Sequence, residues 1–178
     1  ATMATYCGQN VGACKLDRLG RGIRCCALLG LGCSAIAFCA MLRFAPQCAM
    51  LFLDSKEADV LLLTQLTARY IIIQSAFFFP LSLVNIVRFS IQGMGFSPFA
   101  ILAGVLEMAA RTGVGMLLVP TFGYTAACFA SPAAWVCADL FLVPASAACI
   151  AKLRRLYPNT PEDTPAAQPV PLRAGANR

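Results

Sequence analysis

Apolar residues run along this chain in four long segments, at about Ile23–Phe44, Thr67–Val87, Phe96–Val119 and Tyr124–Ala151. The first contains 18 uncharged residues in a row, Cys25 to Leu42. About 20 residues of helix cross the roughly 30 Å hydrocarbon core of a bilayer, so each segment is long enough to span it. Alternation with period two is absent, and an unclosed sheet cannot satisfy its backbone in lipid. The pattern therefore predicts an all-α membrane protein with four transmembrane helices.

Prolines and polar clusters divide these segments. Ala45-Pro46-Gln47 is expected to end the first helix, with 47–53 a short interfacial piece before the polar Asp54-Ser55-Lys56-Glu57 loop. Val60 to Leu66 extends the second helix into the interface. Pro80 removes a backbone bond inside that helix and predicts a kink. Val119-Pro120-Thr121-Phe122-Gly123 predicts a tight turn between the third and fourth helices. Without it, Thr112 to Ala138 would be one uncharged run.

Three regions follow. Residues 1–22 read as the end of a preceding helix and a basic linker, and 23–157 as the four-helix bundle. Residues 158–178 hold five prolines and read as a disordered cytoplasmic tail. No signal peptide is visible, and the first ten residues look like a helix already under way, so the expectation is a piece of a longer protein.

Composition agrees with lipid as the solvent. Of 178 residues, 59% are hydrophobic and only 12% charged, against about 25% charged in soluble domains. Mean hydropathy is +0.72. The net charge of +6 reads as loop bias, because no basic, aromatic-interleaved face exists to follow a nucleic acid. Lys15, Arg18, Arg21, Arg24, Arg88, Lys152, Arg154 and Arg155 fall on one side of the predicted topology; only Arg43, Lys56 and Arg69 fall on the other. The first side is expected to be cytoplasmic, and four crossings bring both ends there.

Ten cysteines suggest disulfides, but Cys25, Cys26, Cys33, Cys39, Cys128, Cys137 and Cys149 lie in apolar segments, where Cys acts as a small hydrophobe. Cys7, Cys14 and Cys48 are expected to meet water. The chain has no His and no CxxC, which argues against zinc. No Walker loop, catalytic triad or carboxylate-rich metal cluster appears, so the sequence calls for no cofactor and no enzymatic activity.

Charges within the bilayer are costly, which makes them functional candidates. Glu107 and Arg111 stand four apart on the third helix, a spacing that permits an ion pair. Such a pair either braces the bundle or lines a wet cavity, with Glu107 exchanging protons or cations. Asp139 lies mid-way along the fourth helix with no local cation. It is free to face water, take up a proton, or pair with Arg111 across the bundle. Among uncharged groups, Gln74, Ser82 and Asn85 fall near one face of the second helix, where interhelical hydrogen bonding is the commoner role. Gln74, Asn85, Glu107, Arg111 and Asp139 are the candidate cavity residues. Gly30, Gly32, Gly104, Gly113 and Gly115 are expected to mark close helix packing.

Several words of the sequence occur together in a known order. They are Tyr6-Cys7-Gly8-Gln9-Asn10-Val11-Gly12-Ala13, Lys15-Leu16-Asp17-Arg18, Phe44-Ala45-Pro46-Gln47, Leu51-Phe52-Leu53 and Gln92-Gly93-Met94-Gly95. Glu107-Met108-Ala109-Ala110-Arg111, Phe122-Gly123-Tyr124 and Ser131-Pro132-Ala133-Ala134-Trp135 follow. This set resembles the C-terminal portion of the multidrug and toxic compound extrusion (MATE) family, with Cys14 where such linkers usually have Gly. The resemblance implies the last four of twelve helices in a two-lobed transporter. It implies efflux of small organic compounds in exchange for H⁺ or Na⁺ across the plasma membrane, in concert with an N-terminal lobe not contained in this stretch. Alternatives are a lipid-linked oligosaccharide flippase of the same superfamily and a self-contained four-helix membrane scaffold.

Overall fold

A computed structural model describes residues 2–51 and 59–157; the Asp54–Glu57 loop and the Pro-rich tail lie outside the described residues. In chain order the helices are α1 (Thr2–Gly12), α2 (Asp17–Met50), α3 (Val60–Ala76), α4 (Phe78–Gly93), α5 (Ser97–Leu117), the single turn α6 (Val119–Phe122) and α7 (Tyr124–Leu156). No strand occurs among the described residues. Three helices, α2, α5 and α7, are each long and apolar enough to cross a membrane, and the bent pair α3–α4 passes the same test only when its two helices are taken together, which gives three spans or up to four. The protein is an all-α membrane protein.

Two boundaries depart from the pattern-based reading, both at prolines. Pro46 does not end the first helix, because α2 continues through it to Met50. Near a helix end the loss is one hydrogen bond, to the Leu42 carbonyl, and the fixed proline φ suits the last turn. At 34 residues, α2 is about 51 Å long and exceeds the hydrocarbon core. The second span is two helices rather than one kinked helix, bent by 47°. Pro80 has no N–H for the Ala76 carbonyl, and its ring crowds that turn. The chain breaks at Phe77, whose N–H bonds Gln74 O at 3.1 Å. The ring of Phe77 meets that of Phe129 on α7 edge-on, with centroids 6.1 Å apart.

Helix α7 is the hub. It packs against α3, α4, α5 and α6, while α2 lies on the far side of α3 and α4. A third of its apolar window is buried, against 6% for α2. Leu28, Leu29 and Ile36 on α2 are 68–73% exposed. The core gathers Leu19, Val84, Val87, Ile91, Ala103, Ala138, Leu142 and Leu153. Helix α1 folds onto α4, which buries Cys7 in this core instead of leaving it to water. Of the glycines expected at close contacts, only Gly30 is at one: a Cβ there would sit 2.6 Å from Ser82 Oγ, whereas Gly32, Gly104, Gly113 and Gly115 face open space.

Helices α1 and α4 end in the same cap. After α4, Phe96 N–H bonds Ile91 O at 3.1 Å and Gly95 takes φ +87°. After α1, Lys15 N–H bonds Asn10 O at 2.9 Å and Cys14 N–H bonds Val11 O at 3.0 Å. Cys14 therefore holds the left-handed position of a Schellman motif, with φ +56°. A side chain there crowds the following carbonyl, at a cost of about 1 kcal/mol or more relative to glycine. Cys14→Gly is expected to raise stability in detergent by about 1 kcal/mol, read as a higher Tm. A lower Tm would show that the thiol contributes more than the backbone strain removes.

Candidate functional site

The strongest polar cluster sits between α4 and α5. Arg111 Nη2 donates to Glu107 Oε1 at 3.0 Å, as the four-residue spacing predicts. A second partner went unread in the sequence: Arg88 Nη2, from α4, donates to Glu107 Oε2 at 2.7 Å. Arg88 follows Val87, where the apolar run stops, and so looks like a loop charge. Helix α4 instead continues to Gly93 and carries Arg88 inside the packed bundle. The Glu107 side chain is only 18% exposed and that of Arg88 23%, whereas Arg111 is half open at 49%.

Each carboxylate oxygen of Glu107 thus holds one guanidinium. Two positive charges bracket one negative, a geometry that ties α4 to α5. The arrangement leaves one net positive charge, carried outward by the half-open Arg111.

Asp139 is differently placed. It follows the buried Ala138 on α7, and its Oδ1 is buried with no hydrogen-bond partner. Pairing with Arg111 does not occur; the described ion pairs join Glu107 to Arg88 and Arg111, and Asp17 to Arg154. Asp139 is the one intramembrane carboxylate among the described residues that lacks a cation.

Gln74 and Asn85 do not share a face, because the break at Phe77 lies between them. Asn85 is exposed, and its Nδ2 donates to Leu81 O at 2.9 Å within α4. Gln74 Nε2 instead reaches across to Cys128 O on α7 at 3.4 Å. The reason lies in the Ser131-Pro132 step. Pro132 has no N–H to offer the carbonyl four residues earlier, which is that of Cys128. The Gln74 amide supplies the missing donor, as polar side chains do for proline-bearing membrane helices. Its own Oε1 stays buried without a partner. Nearby, Tyr124 Oη donates to Leu66 O at 2.5 Å, a second α3–α7 tie. A cleft of about 540 Å³ opens beside them between α2, α3 and α7, lined by Pro46, Thr64, Arg69, Ile72, Ile73 and Phe129.

A MatE family profile matches residues 1–121. The chain belongs to the MatE family. The match covers the whole Arg88–Glu107–Arg111 bridge and stops before α7, so Asp139 lies beyond it. Neither a search of curated proteins nor one of solved structures returned a match. MATE proteins are membrane transporters rather than enzymes, and this chain is a multi-pass member of that class.

Two double-mutant cycles test the site's wiring. Glu107→Ala is expected to destabilise the bundle by about 3 kcal/mol, since it strands two guanidinium groups, and Arg88→Ala in that background should recover part of the loss. Strict additivity in thermal unfolding would mean that the bridge does not couple the helices. Gln74→Leu is expected to cost roughly 0.6–1.7 kcal/mol in the native sequence, and less when Pro132→Ala restores the N–H donor. An equal cost in both backgrounds would remove the assigned role of Gln74.

Proposed function

We propose that the protein forms part of a secondary multidrug efflux antiporter that exchanges organic compounds for H⁺ or Na⁺ across the plasma membrane. The observation carrying this reading is Asp139: an intramembrane carboxylate, partly buried, with no cation partner among the described residues, in a transporter of the MatE family. Such a group is costly in lipid unless a proton or a cation neutralises it, and that need is a means of coupling. Glu107 is already neutralised by two guanidinium groups and serves as architecture. In this reading Arg111, half exposed, belongs to the rim of a cavity completed by an opposing lobe, and Gln74 and Asn85 support the helices that border it.

In this reading the four crossings are the last part of the C-terminal lobe. An opposing lobe completes the cavity, and rocking of one lobe against the other alternates access. Cation and substrate favour different states of the lobe pair, which links their fluxes. Lys15, Arg18, Arg21, Arg24, Lys152, Arg154 and Arg155 lie toward one end of the bundle, where Arg154 meets Asp17 at 3.4 Å. That end is proposed to be cytoplasmic.

The test is extrusion of a fluorescent cationic dye from cells expressing the complete transporter, under imposed proton or sodium gradients. Asp139→Asn is expected to reduce gradient-driven extrusion to background while leaving the protein folded in the membrane, and Asp139→Glu to retain it. Full gradient-driven extrusion in Asp139→Asn would sink the coupling role. Movement of a lipid-linked oligosaccharide, with no dye extrusion in the unmodified protein, would replace this reading with the flippase alternative.

A further inference from the structure

We infer that the cleft between α1 and α2 binds the phosphate headgroup of an anionic phospholipid in the leaflet at the basic end of the bundle. The cleft has a volume of about 550 Å³ and is lined by Met3, Tyr6, Arg18, Arg21, Gly22 and Cys25. Arg18, Arg21 and Cys25 follow one another at i, i+3 and i+7, so they form one stripe of α2. That stripe crosses the point where charge stops: Arg24 is the last charged side chain before the 18 uncharged residues from Cys25 to Leu42. One end of the cleft is cationic and the other opens onto hydrocarbon-facing helix. Leu28 and Leu29, 68% and 71% exposed, continue the apolar surface one turn further into the bilayer.

Neither arginine is neutralised among the described residues. The nearest acid in sequence, Asp17, is engaged by Arg154 at 3.4 Å. The walls are held in place. Tyr6 Oη donates to Arg18 O at 3.0 Å, which docks α1 against the first turn of α2. Gly22 lets the Tyr6 ring lie against the helix; a Cβ at that position would overlap the ring carbons. A phosphodiester suits this frame. Arginine presents a planar fork of donors to phosphate oxygens, and basic residues at a membrane boundary attract anionic lipids. The acyl chains would lie along Cys25, Leu28 and Leu29.

Native mass spectrometry of the complete protein, titrated with phosphatidylglycerol and with phosphatidylcholine, tests the assignment. One phosphatidylglycerol is expected to stay bound at concentrations where phosphatidylcholine does not. Arg18→Gln with Arg21→Gln should weaken retention about tenfold or more, given the pull of two boundary charges on anionic lipid. Lys15→Gln with Arg155→Gln removes the same charge at the same end but outside the cleft, and should change retention by less than about twofold. Arg18→Lys with Arg21→Lys keeps the charge without the planar fork and should lose less than the Gln pair, which separates headgroup binding from failure to fold. Equal retention of the two lipids would overturn the assignment, as would equal losses in the two Gln double variants. Displacement of the lipid by an equal concentration of inorganic phosphate would make this an anion site and not a lipid site.

Discussion

A charge or backbone polar group inside the bilayer is costly unless it finds a partner within the bundle, because hydrocarbon offers none. Much of the arrangement of α4, α5 and α7 can be traced to that requirement. Glu107 cannot stand alone on α5, so it takes Arg111 from its own helix and Arg88 from the next. The second bond matters more for architecture, since it fixes how α4 meets α5 near the core residues Val87 and Ala103. It also explains why Arg88 can lie inside a packed helix at all. Apolar packing joins these helices but carries little directional information in lipid; the three-way bridge supplies direction.

Prolines extend the same requirement to the backbone. Each one in a helix frees the carbonyl four residues before it. Pro80 frees Ala76, and there the chain breaks and bends by 47°. Pro132 frees Cys128, and there the helix stays continuous because Gln74 supplies a donor from α3. Position in the bundle decides the outcome. The α3–α4 junction can turn between its neighbours, whereas α7 is enclosed by α3, α4 and α5. A continuous hub helix braced by a side chain from α3 thus stands beside a helix pair that bends.

The membrane class and the three spans α2, α5 and α7 were legible in the apolar runs, because in lipid the length of a run is itself the signal; the predicted second span is instead the bent pair α3–α4. The Glu107–Arg111 pair was legible because helical spacing is local. Arg88 was not, because hydropathy places a boundary where apolar residues stop, and α4 stops only at Gly93. Gln74 and Asn85 seemed to share a face on the assumption of an unbroken helix, an assumption that fails at Phe77. Pro80 pointed to the bend, yet whether a proline bends or breaks a helix depends on its neighbours in space. Pro46 shows the opposite case, with α2 running past it. Cys14 marks a further limit: a backbone position that favours glycine is visible as a departure from a familiar linker, while the cap that imposes it is visible only in three dimensions.

Glu107 and Asp139, similar in chemistry and both near the middle of their helices, therefore have opposite prospects. Glu107 is bracketed by fixed positive charge, so releasing it would strand two guanidinium groups at once. Asp139 has no such anchor, and its surroundings on α7 are unusual. Pro132 lies seven residues before it and Pro144 five after, and both are within the continuous helix. Pro144 has no N–H for the Leu140 carbonyl, so the residue next to Asp139 also lacks its intrahelical donor. An unpaired carboxylate beside a carbonyl freed from its helical bond is an acceptor-rich stretch in a low-dielectric setting. Such a stretch is stabilised by a proton or a small cation, and no protein cation among the described residues supplies one. In the proposed coupling, neutralisation from outside the chain becomes part of the energetics of the hub helix itself. Since α7 touches α3, α4 and α5, a change of charge at Asp139 would then act on the helix best placed to pass it to the others.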